Sequence, residues 1–319
     1  MKAAVYYSYG GPEVVRIADV PKPEPRSGEV LVRIRASAVN AADWRLRRAD
    51  PWMVRLLFGL FKPKKPILGV VFAGEVEAIG KDVTKYAKGD RLFGWTGLKR
   101  MAGHAEYICL PQDGPFTLMP TNMDFADAAA IPFGGATALD LLRKAAIKKG
   151  QQVLVYGASG AAGTAAVQLA RQMGAEVTGV CSTRNVELVR TLGASTVLDY
   201  TKDDLTAIRD RYDVVFETVG KLPFATCLGL LKPGGVIVLG SEMPADTLRR
   251  PFRSKDGKKP KVVQGLVRER EEDMRHLKSL IERNELRAVI DTTYPLERIA
   301  EAHALAESGH KRGNLVITM

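Results

Sequence analysis

The sequence predicts an α/β chain, a doubly wound parallel-sheet domain carried by a β-rich one, and three observations predict it. An apolar strand, Val153 to Tyr156, runs into Gly157-Ala158-Ser159-Gly160-Ala161-Ala162-Gly163 and then into a small-residue helix, Thr164 to Met173. Strands recur at βαβ distance after it, as Glu176 to Val180, Thr196 to Tyr200, Asp213 to Val219 and Val236 to Gly240. Residues 1 to about 120 instead show short β runs separated by turn residues.

In chain order, Glu29 to Arg35, Phe72 to Ile79 and Ala105 to Cys109 read as strands, and Lys88-Gly89-Asp90 as a turn feeding Arg91-Leu92-Phe93. The pattern changes at Asp124, with helices over Phe125 to Ala130 and Thr137 to Ala146. After the glycine-rich unit, Pro233-Gly234-Gly235 is a tight turn into the fifth strand, and Val262 to Val267 fits a sixth. Arg270 to Asn284 fits an amphipathic helix with Met274, Leu277, Leu280 and Ile281 on one side. A helix from Arg298 to Ser308 and a strand from Asn314 to Thr318 close the chain. The division expected is 1–120, completed by 286–319, around a nucleotide domain at 121–285.

Strand, glycine turn and helix together form the Rossmann arrangement. The first glycine turns the chain out of the strand, while Gly160 and Gly163 remove side chains where backbone nears a pyrophosphate and where helix meets sheet. Helix N-termini carry unpaired N–H groups and partial positive charge, so a diphosphate is held there by Gly157, Ser159, Gly160, Ala161, Ala162 and Gly163. The second strand decides between cofactors. An NAD site carries a carboxylate near its end to accept from the ribose 2′-OH. Here Gly179-Val180-Cys181-Ser182-Thr183-Arg184-Asn185 has none before Glu187. Hydroxyl, amide and guanidinium groups suit a 2′-phosphate, so NADP is the expected cofactor, on Ser182, Arg184 and Asn185. The same four residues, Ser182 to Asn185, also fit a cap for the following helix.

Composition sets outer limits. A chain of 319 residues, 46% hydrophobic and 26% charged, fits two globular domains. Nothing resembles a signal peptide, and the most apolar stretch, Trp52 to Phe61, is too short to span a bilayer. The expectation is a cytoplasmic protein with no membrane partner. Cys109, Cys181 and Cys227 are too dispersed for a disulfide framework or a metal knuckle. A net charge of +11 has clusters at Arg45 to Lys65 and at 249–261, but lysine-rich surface loops are usually solvated and the 249–261 cluster has almost no aromatic interleaving beyond Phe252, so specific nucleic-acid binding is not expected. A positive field would instead draw in an anionic cofactor.

The whole chain resembles the medium-chain dehydrogenase/reductase superfamily, specifically its zinc-free quinone oxidoreductase-like branch. The segments that carry the likeness are Gly11-Pro12-Glu13-Val14, Ser37 to Trp44, Gly69 to Gly80, Gly89 to Phe93, Gly134 to Ala138 and Arg312 to Val316. The resemblance implies a GroES-like catalytic domain and NADPH-dependent reduction of an apolar quinone or an activated C=C in an enone or alkenal. It also suggests a homodimer, by analogy with paired nucleotide-domain edges. Zinc-dependent members place a cysteine where Asn40 stands and a Gly-His-Glu where Gly69-Val70-Val71 stands. Valine offers no lone pair and an amide oxygen replaces thiolate poorly, so no metal is expected.

By the same likeness Asn40 lies near the nicotinamide and orients the substrate carbonyl or the nicotinamide ribose, or else caps a turn; Thr137 contacts the cofactor or caps its helix, and Tyr200 packs near the adenosine phosphate or in the core. Val219, Gly240 and Ser241 follow strands four and five toward the cofactor, and Asn314 reaches it from the returning domain. Asp43 and His104 are candidate acids for the proton, with water an equal alternative. Trp44 and Trp52 stand where enoyl-thioester reductases carry a tyrosine, which points away from thioesters. Trp52 to Phe61 lines the substrate pocket or forms a helix packed into the core. The competing function is a non-catalytic NADPH-binding sensor, structural or RNA-associated protein, separable by NADPH turnover.

Overall fold

The computed structural model describes residues 1–98, 100–209, 211–240, 260–265 and 267–319. Two compact units emerge, one of Met1–Phe133 with Glu269–Met319, the other of Gly134–Arg268.

The chain opens with β1 (Lys2–Val5), β2 (Arg16–Asp19) and the long β3 (Glu29–Val39). Two helices follow, α1 (Ala41–Arg48) and α2 (Val54–Phe58), then β4 (Val71–Ile79), β5 (Arg91–Trp95), β6 (Tyr107–Pro111), β7 (Phe116–Leu118) and α3 (Phe125–Ala130). Next come α4 (Pro132–Ala145), β8 (Gln152–Tyr156), α5 (Ala161–Gln172), β9 (Glu176–Cys181), α6 (Val186–Thr191) and β10 (Thr196–Asp199). They are followed by β11 (Tyr212–Glu217), α7 (Phe224–Leu230), β12 (Leu231–Leu239) and β13 (Lys261–Val263). The described chain ends through α8 (Glu271–Glu282), β14 (Ile290–Pro295), α9 (Ile299–Ser308) and β15 (Asn314–Thr318).

In the second unit six parallel strands run in the order β10-β9-β8-β11-β12-β13. That is the doubly wound order, whose reversal beside the first strand leaves a crevice at the carboxyl ends of the strands. β8 is nearly continuous apolar sequence because helices cover both faces of such a sheet. The fifth strand departs from expectation: it begins at Leu231 rather than Val236, and Pro233-Gly234-Gly235 sits as an irregularity where pairing with β11 shifts register. β13 likewise stops at Val263 instead of reaching Val267.

The first unit holds a sheet in the order β14-β15-β3-β4-β5-β7, with β6 paired to β3. Val30, Val32, Ile34, Phe72, Leu92 and Phe116 form its core, with alternate β3 residues supplying one face. α8 belongs here too, since Asn122 Nδ2 donates to Ile281 O at 2.9 Å.

Arg47, Asp43, His104 and His303 are buried polar side chains of this unit. Arg47 pairs with Glu307, and Asp43 accepts from the Asn40 and Gly69 amides at 2.8 and 3.0 Å. His104 and His303 meet edge to face with centroids 5.7 Å apart. Neither ring nitrogen of His303 has a hydrogen-bond partner among the described residues. Burial first, then the neighbouring His104 and Arg47, hold His303 well below its ordinary 6.5. Below that value the unfolded chain takes up a proton that the native chain refuses, so stability is full above it and falls as pH drops. The slope from one such group approaches ~1.4 kcal/mol per pH unit. Asp43, raised by burial, acts oppositely from its ordinary 3.8 upward. Between about pH 7 and about pH 5 the thermal midpoint of the wild type should therefore fall relative to that of His303→Leu, in which Asp43 is unchanged. A difference between the two midpoints that stays constant over this range would contradict the assignment.

Candidate active site

The carboxyl ends of β8, β9 and β11 build the site in the second unit. Gly157 follows β8 with φ +78°, a conformation costly for any other residue, and a Cβ there would sit 2.2 Å from Val219 Cγ2. At Gly163 a Cβ would lie 2.0 Å from Gly157 O, so helix and turn touch backbone to backbone. Gly134 serves the same end from α4, where a Cβ would meet Ala161 O at 2.3 Å. Gly160 differs. Its φ is −83°, and a Cβ would meet nothing nearer than Gly157 O at 3.5 Å. Among the described residues no atom demands glycine there, and a methyl would occupy the open side of the turn. The first helical hydrogen bond of α5 runs from Thr164 N to Gly160 O at 2.8 Å, leaving the amides of Ala161, Ala162 and Gly163 without an acceptor inside the helix.

At the end of β9, Asn185 joins two parts of this surface. Its Nδ2 donates to Ser159 Oγ at 3.2 Å and to Ser182 Oγ at 3.1 Å. The capping reading of this segment is corrected: neither Ser182 nor Asn185 makes a side-chain cap bond. Arg184 is exposed beside them. Sequence reading missed Asp199. Parallel pairing sets it opposite Cys181, and it accepts from Thr183 Oγ1, from Thr201 N at 3.0 Å and from Thr201 Oγ1 at 2.7 Å. Those bonds, Thr183's above all, hold its carboxyl below the usual range. Tyr200 is half exposed and tilted against Tyr156 at 6.4 Å between centroids, which excludes the core alternative.

After β11, Glu217 accepts from the amides of Val219 and Gly220 at 2.9 and 2.7 Å, shaping the loop that presents Val219. The Gly240 amide donates to Glu217 O at 2.8 Å, which ties the end of β12 to the same place. Ser241 and most of the 249–261 basic cluster lie outside the described residues. Thr137 is buried inside α4, which starts at Pro132, so its helix-cap alternative is corrected. Proline is favoured at a first helical position because the amide it lacks has no partner there.

The first unit holds the remaining candidates. Asn40 occupies the N-cap position of α1, buried, with Nδ2 donating to Ala38 O at 3.1 Å. His104 is buried with Nε2 against the same carbonyl at 3.3 Å, and burial holds its pKa below the ordinary value despite nearby Asp43. Asn314 donates Nδ2 to Val289 O at 3.1 Å, while its buried Oδ1 has no partner among the described residues. Nearby Lys311, which sequence reading passed over, bonds Gly313 O and is pushed down to about 8 by burial. Val70 and Val71 are fully buried apolar positions. Among the described residues no group of three or more His, Cys, Asp or Glu could hold a metal ion. The core alternative for Trp52 to Phe61 is overturned: Leu57 is 77% and Phe61 89% exposed.

A glycine-lined turn at the carboxyl edge of a doubly wound sheet, in a chain that also carries a β-rich unit, defines a nicotinamide-dependent oxidoreductase of the GroES-like type. Residues 26–123 match the alcohol dehydrogenase GroES-like domain and residues 192–317 the zinc-binding dehydrogenase family. Quinone oxidoreductase of Sus scrofa is 35% identical over 98% of this chain and 95% of its own length. An NADPH-dependent alkenal/one oxidoreductase of Arabidopsis thaliana is 30% identical over 99% of this chain and 79% of its own. Among solved structures, the quinone oxidoreductase from Coxiella burnetii superposes with a TM-score of 0.89 at 31% identity, covering 100% of this chain and 99% of that one. The chain belongs to the medium-chain dehydrogenase/reductase superfamily and, within it, to the quinone oxidoreductase-like branch.

Proposed function

We propose that the protein transfers hydride from NADPH to an apolar quinone or to the activated double bond of an enone or alkenal, without a metal ion. The observation that carries the cofactor half is the Gly160 turn, open on its ligand side and joined through Asn185 to Ser182. Bound NADPH would supply the hydride. The amides of Ala161, Ala162 and Gly163 would hold its pyrophosphate, and Ser182, Arg184 and Asn185 its 2′-phosphate. Tyr200, Val219, Gly240, Ser241, Thr137 and Asn314 are assigned to cofactor contacts, and Asn40 to orienting the acceptor carbonyl.

The acceptor half follows from chemistry. Oxidising a simple alcohol calls for a Lewis acid or strong base, whereas a quinone or enone spreads the arriving electron pair onto an oxygen that one hydrogen bond can stabilise. Buried His104, engaged with Ala38 O, is poorly placed to deliver a proton, so the proposal assigns that proton to water. The relatives support this reading, since their names describe NADPH-dependent and quinone-directed reductases; a non-catalytic or RNA-associated role draws no support from them. In this assignment the unit of 1–133 with 269–319 acts as the catalytic domain and that of 134–268 binds nucleotide, in a cytoplasmic homodimer.

The test is NADPH oxidation followed at its near-ultraviolet absorbance with menadione and a series of α,β-enones, in the presence of a chelator, with NADH in parallel. Turnover that survives chelation and favours NADPH is the expected result. A protein with no affinity for NADPH, or activity abolished by chelation, overturns the proposal.

A further inference from the structure

The segment from Trp52 to Phe61 presents six large apolar side chains to solvent: Trp52, Met53, Leu56, Leu57, Leu60 and Phe61. Leu56 and Leu57 lie on α2 and the other four on its flanks, a concentration far denser than the scattered exposed apolar residues of an ordinary surface. The base of the segment is held. Tyr9 Oη donates to Gly59 O at 2.7 Å, the Arg55 guanidinium lies 4.8 Å from the Tyr9 ring centroid, and Lys64 N donates to Phe58 O at 2.8 Å. Gly59, at φ +129°, makes the turn that a side chain would block, since a Cβ there would sit 2.1 Å from Lys62 O. Charge is as one-sided as hydropathy. Arg55, Lys62, Lys64 and Lys65 fall between Asp50 and Glu75, and no carboxylate does. Lys62 and Lys64 are exposed.

We infer that this apolar ridge and its lysines dock on the surface of an anionic lipid bilayer. Tryptophan and phenylalanine settle at the boundary between headgroups and acyl chains, and adjacent lysines gain from the negative surface potential. The rival occupant is a second copy of this chain. A two-fold interface sets the same patch against itself, which would place these cations opposite their own copies with no acid within the segment to balance them. A spanning helix is not needed, and among the described residues no helix is long and apolar enough to be one. The inference replaces the pocket-lining reading of Trp52 to Phe61 and the expectation of no membrane partner, and neither cofactor nor acceptor enters it.

Flotation of the full chain with vesicles tests it, using phosphatidylcholine alone and with about 30% phosphatidylglycerol, at about 0.1 M salt. The wild type should float with anionic vesicles, shift its Trp52 emission to the blue, and be released toward 1 M salt. The pair Leu57→Asp and Phe61→Asp should reduce the bound fraction at least about tenfold with an unchanged circular dichroism spectrum, since both side chains are exposed. Lys62→Glu with Lys64→Glu should abolish the preference for anionic lipid. No flotation, flotation indifferent to the aspartate pair, or equal affinity for neutral vesicles each overturns the inference. So does a dimer that the aspartate pair splits in sedimentation while wild type ignores vesicles.

Discussion

Gly163→Ala is expected to yield little folded protein, and Gly160→Ala to yield a folded protein that binds NADPH poorly. A methyl at Gly163 would stand 2.0 Å from Gly157 O and 2.8 Å from Ala158 Cα, and both obstacles are backbone. Relief requires α5 to back away from β8, which breaks the packing of Ala166 and Ala170 beneath it. Overpacking typically costs 1–3 kcal/mol, and a backbone obstacle puts this case at ~3 kcal/mol or more. At Gly160 the nearest protein atom would be 3.5 Å away and φ is already one that alanine adopts, so the fold loses nothing. The methyl would fill the space assigned to pyrophosphate, weakening NADPH about tenfold or more, or ~1.4 kcal/mol. Denaturant midpoints and NADPH titration read the two effects separately. Undiminished NADPH affinity in Gly160→Ala would remove the pyrophosphate from this turn.

Ser182→Asp should lower kcat/KM for NADPH at least about 100-fold while leaving NADH within a few-fold, a change of ~2.7 kcal/mol in preference. The substitution sets a carboxylate at the end of β9, bonded through Asn185 to the cradle, where the 2′-phosphate is assigned. Like charges in contact cost several kcal/mol, whereas the ribose 2′-OH of NADH gains an acceptor. Asp199 does not do this already, because the hydroxyls of Thr183 and Thr201 and the Thr201 amide occupy its oxygens. An unchanged NADPH-to-NADH ratio in the variant, or a wild type that favours NADH, would end the assignment of Ser182 and Arg184.

Much of the second unit is legible in the linear chain. A strand whose side chains are all apolar, a turn that only glycine can make and a helix of small residues are local facts, and Val153 to Gln172 carries them within one βαβ unit. Other readings failed where one local pattern serves two environments. Trp52 to Phe61 has helical apolar spacing whether that face meets core or solvent, and periodicity states which residues share a face without stating what covers it. Thr137 after Gly-Gly reads as a helix start, but α4 already runs from Pro132 because Gly134 lets it approach the backbone of Ala161. Pro233 and Gly234 read as a turn, yet neighbouring β11 takes up the irregularity by a register shift.

By itself the sequence determined the fold class, the strand, glycine turn and helix at Val153 to Gln172, and the residue types that stand at Asn40, Val70 and Val71, because each depends on residue chemistry at neighbouring positions. Tertiary structure alone decided that Asp199 is bonded to Thr183, that Asn185 links Ser159 to Ser182, that two histidines share a buried site and that an apolar ridge stands in water. Those features join residues far apart in the chain or depend on what packs over a surface, and local propensity carries no information about either.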